Sequence, residues 1–156
     1  MELNTRGRYA VMAMADLAKF GDERAVTLAE IAQRQELSEA YLGQIFGQLR
    51  QSGLVKSIRG RSGGYRLARP ADRIAVVEVM AAVEESTRMT RCGSGSSIGC
   101  IGEERCLTHG LWAALSQHIA SFLGEVSLKD VVEGRSAIHA ATMRKSSVNA
   151  TEFAAK

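Results

Sequence analysis

All three cysteines of this 156-residue chain lie in one stretch, "CGSGSSIGCIGEERCLTH", which His109 closes. Cys92, Cys100, Cys106 and His109 are separated by seven, five and two residues. Thiolates and an imidazole are soft donors, and such a set suits zinc or an iron–sulfur cluster. Between the first two cysteines only Ile98 is bulky, so the backbone is free to wrap a group held by the sulfurs. Cys106 and His109 stand three apart at the start of an expected helix, which puts both on one face. Structural zinc sites often contain a cysteine pair about two to four residues apart. Neither interval here is that short, so the weight shifts to a cluster, with zinc still open. A histidine in place of a thiolate would make a cluster less negative, and histidine ligation raises the potential in the two-histidine case. The odd cysteine count speaks against a disulfide framework. Three unrelated thiols are the plain alternative, and their confinement to one short stretch speaks against it. His118 falls on an apolar stripe and fits a packed interface histidine, while His139 lies in a polar tail.

Several elements must position this loop. Thr5 can cap a first helix running to about Phe20, with Val11, Met14, Leu17 and Ala18 on one face. After the turn "GDERAV", Thr27 caps the short helix "LAEIAQRQ", with Glu30 in the capping-box position. Ser38 caps a third helix, "EAYLGQIFGQLRQSG", whose buried stripe is Leu42, Ile45, Phe46 and Leu49 and whose end is Gly53. The period then changes. "LVKSIRG" and "GYRLARP" are strand-like, and "RGRSGG" joins them as a basic, glycine-rich hairpin tip. Helix, helix–turn–helix and basic hairpin follow the order of a winged helix–turn–helix, a mainly α fold that reads double-stranded DNA. Past Pro70, "IAVVEVMAAVEE" returns as a helix and the cysteine loop follows. The long apolar helix "LTHGLWAALSQHIASFLGEV" comes last, with Leu111, Leu115, His118, Phe122 and Val126 in one stripe. One small domain cannot bury a helix this apolar, so a second copy of the chain is the expected cover.

The formal net charge is only +3, yet its distribution is uneven. Residues 1–70 carry 11 Lys/Arg against 7 Asp/Glu, whereas residues 71–130 carry 5 against 8. Between Ala40 and Ala71 there is no acidic residue, and Arg50, Lys56, Arg59, Arg61, Arg66 and Arg69 all fall there. A local positive stripe suits a polyanion docking at one surface. On the third helix the stripe leaves Ala40, Gly43, Gln44 and Gln48 for other uses. Gln44 and Gln48 sit one turn apart, and a glutamine can bond both N6 and N7 of adenine. Ser38, with Tyr41 just beyond it, stands where a helix N-terminus meets a phosphate or base. Arg59 and Arg61 flank Gly60 at the hairpin tip, where an arginine can enter the minor groove or bond a phosphate. Gly43 and Gly47 each cost about 1 kcal/mol relative to alanine inside a helix.

No run of about 18 apolar residues exists, so no membrane span is expected. Asp16 and Lys19 interrupt the one stretch resembling a signal h-region, which leaves a cytoplasmic protein as the expectation. There is no nucleophile–base pair, and "GRSGGYR" lacks the Lys-Ser/Thr end of a phosphate loop, so catalysis is not expected. An electron-transfer protein would need neither the helix–turn–helix nor the basic hairpin.

Four stretches carry a resemblance: "GRYAVMAMADLA", "YLGQIFGQLRQSGLVKSIRGRSGGYRLAR", "MTRC" and "CLTHGLWAALS". Over roughly residues 1–135 the chain resembles the iron–sulfur cluster regulators of the IscR type, in a winged-helix family that also holds nitric-oxide sensors and iron regulators. The resemblance implies a homodimer that binds a [2Fe–2S] cluster through Cys92, Cys100, Cys106 and His109, supplied by cluster-assembly proteins. It implies control of cluster-assembly genes, with cluster occupancy changing which promoter sites are bound. The layout expected is a DNA-binding domain over 1–70, a connecting helix over 71–91 and a cluster-binding loop over 92–109. A dimerisation helix region over 106–132 and a disordered tail over 136–156 complete it. The chain departs from the family pattern twice. Its first cysteine interval is two residues longer, and Gly43 stands where the pattern carries an acidic side chain. The alternative to this reading is a winged-helix factor with a structural zinc site and another signal.

Overall fold

Helices begin readily where a side chain can satisfy the free amides of the first turn, and the computed structural model of the chain shows this at Thr27, Ser38 and Ser127. It describes residues 5–84, 104–135 and 138–140, so Cys92 and Cys100 lie outside the described residues, as do residues 141–156. Helix α1 (Thr5–Phe20) buries Ala10, Ala13, Met14, Leu17 and Ala18 on one face, with Val11 at its edge. In α2 (Leu28–Gln35) the Thr27 hydroxyl accepts the Glu30 amide at 3.2 Å, and the Glu30 carboxylate accepts the Thr27 amide at 2.8 Å. Helix α3 (Glu39–Gln51) starts at Ser38, whose Oγ accepts the Tyr41 amide at 3.4 Å. It buries Leu42, Ile45, Phe46 and Leu49, and ends at Gly53, which takes φ +71°.

The hairpin follows as β1 (Val55–Ile58) and β2 (Gly64–Leu67), paired antiparallel from Val55↔Leu67 to Ile58↔Gly64. A third short partner joins it. Val26 exchanges both backbone hydrogen bonds with Tyr65, at 3.0 and 2.7 Å. The expected turn before α2 therefore ends in a one-residue strand. Gly64 is required by this approach: its φ is +151°, and an added Cβ would stand 2.5 Å from the Val26 carbonyl oxygen.

Pro70 does not bound the packing. Ile74, Val79, Val83 and Leu128 belong to the same buried cluster as the stripes of α1 and α3. Here α4 (Val76–Ala82) and α6 (Leu128–Glu133) close the core, while α5 (His109–Glu125) packs on α4. The apolar region expected to run from 106 to 132 is thus two helices. Val126 is extended and buried between them, and Ser127 with Asp130 forms a capping box for α6. Beyond it Ile138 is half-buried against Val76, Met80 and Val126, so the described residues of the expected tail begin as packed helix.

One buried charge ties the N-terminal helices together. Asp16 on α1 is 3% exposed and accepts Nε of Arg34 at 2.9 Å and Nε2 of Gln35 at 2.9 Å. The Arg34 guanidinium also lies over the Phe20 ring, 4.5 Å from its centroid.

Candidate nucleic-acid interface and metal centre

Because α3 turns its apolar stripe inward, it leaves Ser38, Ala40, Gly43 and Gln44 exposed and Gln48 half-buried. Tyr41 is half-buried, its ring set edge-on to Tyr9 at 6.1 Å, and the Ser38 hydroxyl is engaged as a cap. A Cβ at Gly43 would meet only Leu28 Cδ1, at 4.0 Å, and one at Gly47 would meet nothing within 4 Å. The fold itself requires neither glycine.

The hairpin stands beside this face because Tyr65 is shared. Its ring meets Phe46 of α3 edge-on at 4.8 Å, while its backbone pairs with Val26. The tip exposes Arg59, Gly60 and Arg61. Gly60 takes φ +106°, and a Cβ at Gly63 would stand 2.6 Å from the Ile58 carbonyl oxygen, so the tight tip depends on both glycines.

The structure divides the basic stripe by role. Arg66 donates to the Glu23 carbonyl, and Arg69 Nη2 donates to Glu78 at 2.8 Å. Arg50, Lys56, Arg59 and Arg61 are exposed and have no side-chain hydrogen bond or ion pair among the described residues. Those four cations are available to a polyanion. The contacts of Arg66 and Arg69 are tertiary, and no local pattern marks them.

At the other end, Cys106 precedes α5 rather than lying in it. The His109 amide, first in the helix, donates to the Cys106 carbonyl at 3.0 Å, so a turn gathers the two residues. Both are partly exposed, and the Cys106 sulfur is 3.6 Å from the Thr108 hydroxyl. A thiol and an imidazole with surface access, one turn apart, are donors that suit a soft metal, and among the described residues no third donor joins them in a metal-holding group. His118 and His139 are exposed. None of the residues of α5 is buried, although its stripe is apolar: Leu111 is 62% exposed and Phe122 44%. No helix among the described residues is long and apolar enough to cross a membrane.

Comparison with known proteins bears on the whole arrangement. The chain is 49% identical over 146 residues to the HTH-type transcriptional regulator IscR of Xenorhabdus nematophila, covering 94% of this chain and 88% of that protein. To the same-named regulator of Pectobacterium carotovorum it is 44% identical over 151 residues, covering 97% and 91%. Among solved structures, T. potens IscR superposes with a TM-score of 0.72 at 35% identity, over 85% of this chain and 87% of that one. CymR, described as the global cysteine regulator of B. subtilis, superposes with a TM-score of 0.73 at 32% identity, over 85% and 97%. These relatives are transcriptional regulators, and the winged helix–turn–helix expected from the helix order and basic hairpin is the fold they share. A family model matches residues 3–134, from the start of α1 through α6; the chain belongs to the Rrf2 family of iron-dependent transcriptional regulators.

Proposed function

We propose that this chain is a cluster-sensing, DNA-binding regulator that acts in the cytoplasm as a homodimer, repressing or activating genes for iron–sulfur cluster assembly. The observation that carries the reading is the Cys106–His109 turn at the head of α5, a helix packed on α4 that leaves apolar Leu111 and Phe122 exposed. Cys92, Cys100, Cys106 and His109 would hold a [2Fe–2S] cluster received from cluster-assembly proteins. When bound, the cluster supplies a labile, redox-active group whose gain or loss is the signal. The chain's own part is to fix α5 by its first turn and to cover the Leu111 and Phe122 face with a second copy. The two reading helices then sit at a set spacing.

On DNA, α3 enters the major groove with Gln44 and Gln48 toward the base edges. Arg59 and Arg61 reach the minor groove or the phosphates, and the backbone turn at Gly60 lets them approach. Ser38, Ala40, Tyr41 and Gly43 frame the entry of the helix. The layout expected from the sequence stands as part of the proposal: a reading unit to residue 70, a connecting helix, a ligand loop over 92–109 and a dimer region after it. Binding to a duplex library, with loaded protein, cleared protein and His109→Ala, tests it. His109→Ala should adopt the site preference of the cleared protein at unchanged melting temperature. A variant that keeps the loaded preference would refute the ligand assignment. Gln44→Ala should cost about 1–3 kcal/mol at one base position, whereas Arg59→Ala should weaken all sites and lower the salt slope by about 1.

A further inference from the structure

We infer that Arg69 and Glu78 form a positioning junction that conveys the placement of α5 to the hairpin, an inference that rests on the regulator reading above. Among the described residues α5 packs chiefly on α4, and its end returns to the start of α4 through backbone bonds. The Val76 amide donates to the Val126 carbonyl at 2.9 Å, and the Leu128 amide to the Ile74 carbonyl at 2.9 Å. Residues 74–76 are therefore laddered to the residues that end α5. Glu78 caps this same turn: one carboxylate oxygen accepts the Ala75 amide at 2.9 Å. Its other oxygen accepts Arg69 Nη2 at 2.8 Å. Arg69 lies two residues past β2, and the intervening Ala68 amide bonds the Leu54 carbonyl at 2.9 Å, just before β1. One carboxylate thus spans the exit of the hairpin and the turn held by α5.

The charge state suits this role. The Arg69 hydrogen bond, helped by the Ala75 amide, holds the Glu78 carboxyl below the usual carboxylate range, so it is ionised at neutral pH. Both side chains are about two-fifths exposed, at 41% and 40%, which makes the pair weak and the expected coupling small. A second route exists through the core, because Val79 of α4 and Val83 just past its end are buried in the cluster that also holds the stripes of α1 and α3. That route is apolar and does not pass through a charge, so the two can be separated.

The experiment compares the affinity of loaded and cleared full-length dimer for one operator duplex. Glu78→Gln keeps an acceptor for the Ala75 amide and loses the charge; Arg69→Met loses the donor; Arg69→Lys keeps an ion pair. The loaded-to-cleared affinity ratio should move roughly two- to fivefold toward one in Glu78→Gln and Arg69→Met, and stay near wild type in Arg69→Lys. The double variant should add nothing further, as for two ends of one contact. A second readout needs no cluster. In metal-free protein, Glu78→Gln should speed amide exchange at Tyr65 and Ala68 while leaving Leu49 protected. An unchanged ratio in both single variants, additive effects, or unchanged exchange at Tyr65 and Ala68 overturns the junction. A wild-type ratio of one refutes the regulator reading instead, and the exchange measurement still decides the junction.

Discussion

A carboxylate buried between two helices needs a full set of partners, and Asp16 has Arg34 and Gln35. Asp16→Ala should therefore lower stability by about 3 kcal/mol, read as a shift of the urea midpoint with its slope unchanged. The sequence hides this role: Asp16 looks like an interruption of an apolar run, and its partners stand 18 and 19 positions away. Gln44 was legible for the opposite reason, since subtracting the buried stripe of α3 leaves it on the outer face. Gly43 was legible as an oddity, and the structure shows that the fold does not require it. A side chain there meets no obstacle within the protein, so Gly43→Glu should leave or raise the melting temperature. A carboxylate on that face repels phosphate and can accept from cytosine N4. Gel-shift comparison of site classes, loaded and cleared, should therefore show altered preference and stronger dependence on loading; identical profiles would remove Gly43 from the account.

At the level of elements, local motifs were the readable ones. The Thr27–Glu30 box and the Ser38 cap each lie within four residues, and α2 and α3 begin where those caps stand. The box also has a pH signature. The Arg24 hydrogen bond, with Thr27 donating as well, lowers the Glu30 carboxyl to about 2. A depressed carboxyl adds stability that is complete above the ordinary range near 4.5 and fades as pH falls toward about 2. The melting temperature of Glu30→Gln should lie below wild type at pH 7, and the gap should narrow on acidification through that window. A constant gap would deny the charge its part. The Val26 strand was not legible, because one residue carries no alternation and its pairing with Tyr65 spans the helix–turn–helix. The break at Val126 had a signal, Ser127 three residues before Asp130, masked by the apolar run around it. For α5, Leu111→Lys should convert a dimer to monomer in sedimentation without unfolding α1–α3. A variant that stays dimeric would place the contact elsewhere.

Over the whole molecule, basic residues concentrate in one half and the cysteines in the other, and one core joins the described parts of both. That division was visible in the charge pattern. Its mechanical consequence was not, since the ladder between residues 74–76 and 126–128 joins segments some fifty positions apart. The same core runs on past Pro70, where α4 and α6 pack against α1. The sensing proposed for this architecture requires a cluster and not a structural ion. Protein purified without oxygen should be coloured, with iron and acid-labile sulfide each near two per chain and little zinc. A colourless protein carrying one zinc per chain would leave the DNA interface standing and contradict the sensing mechanism.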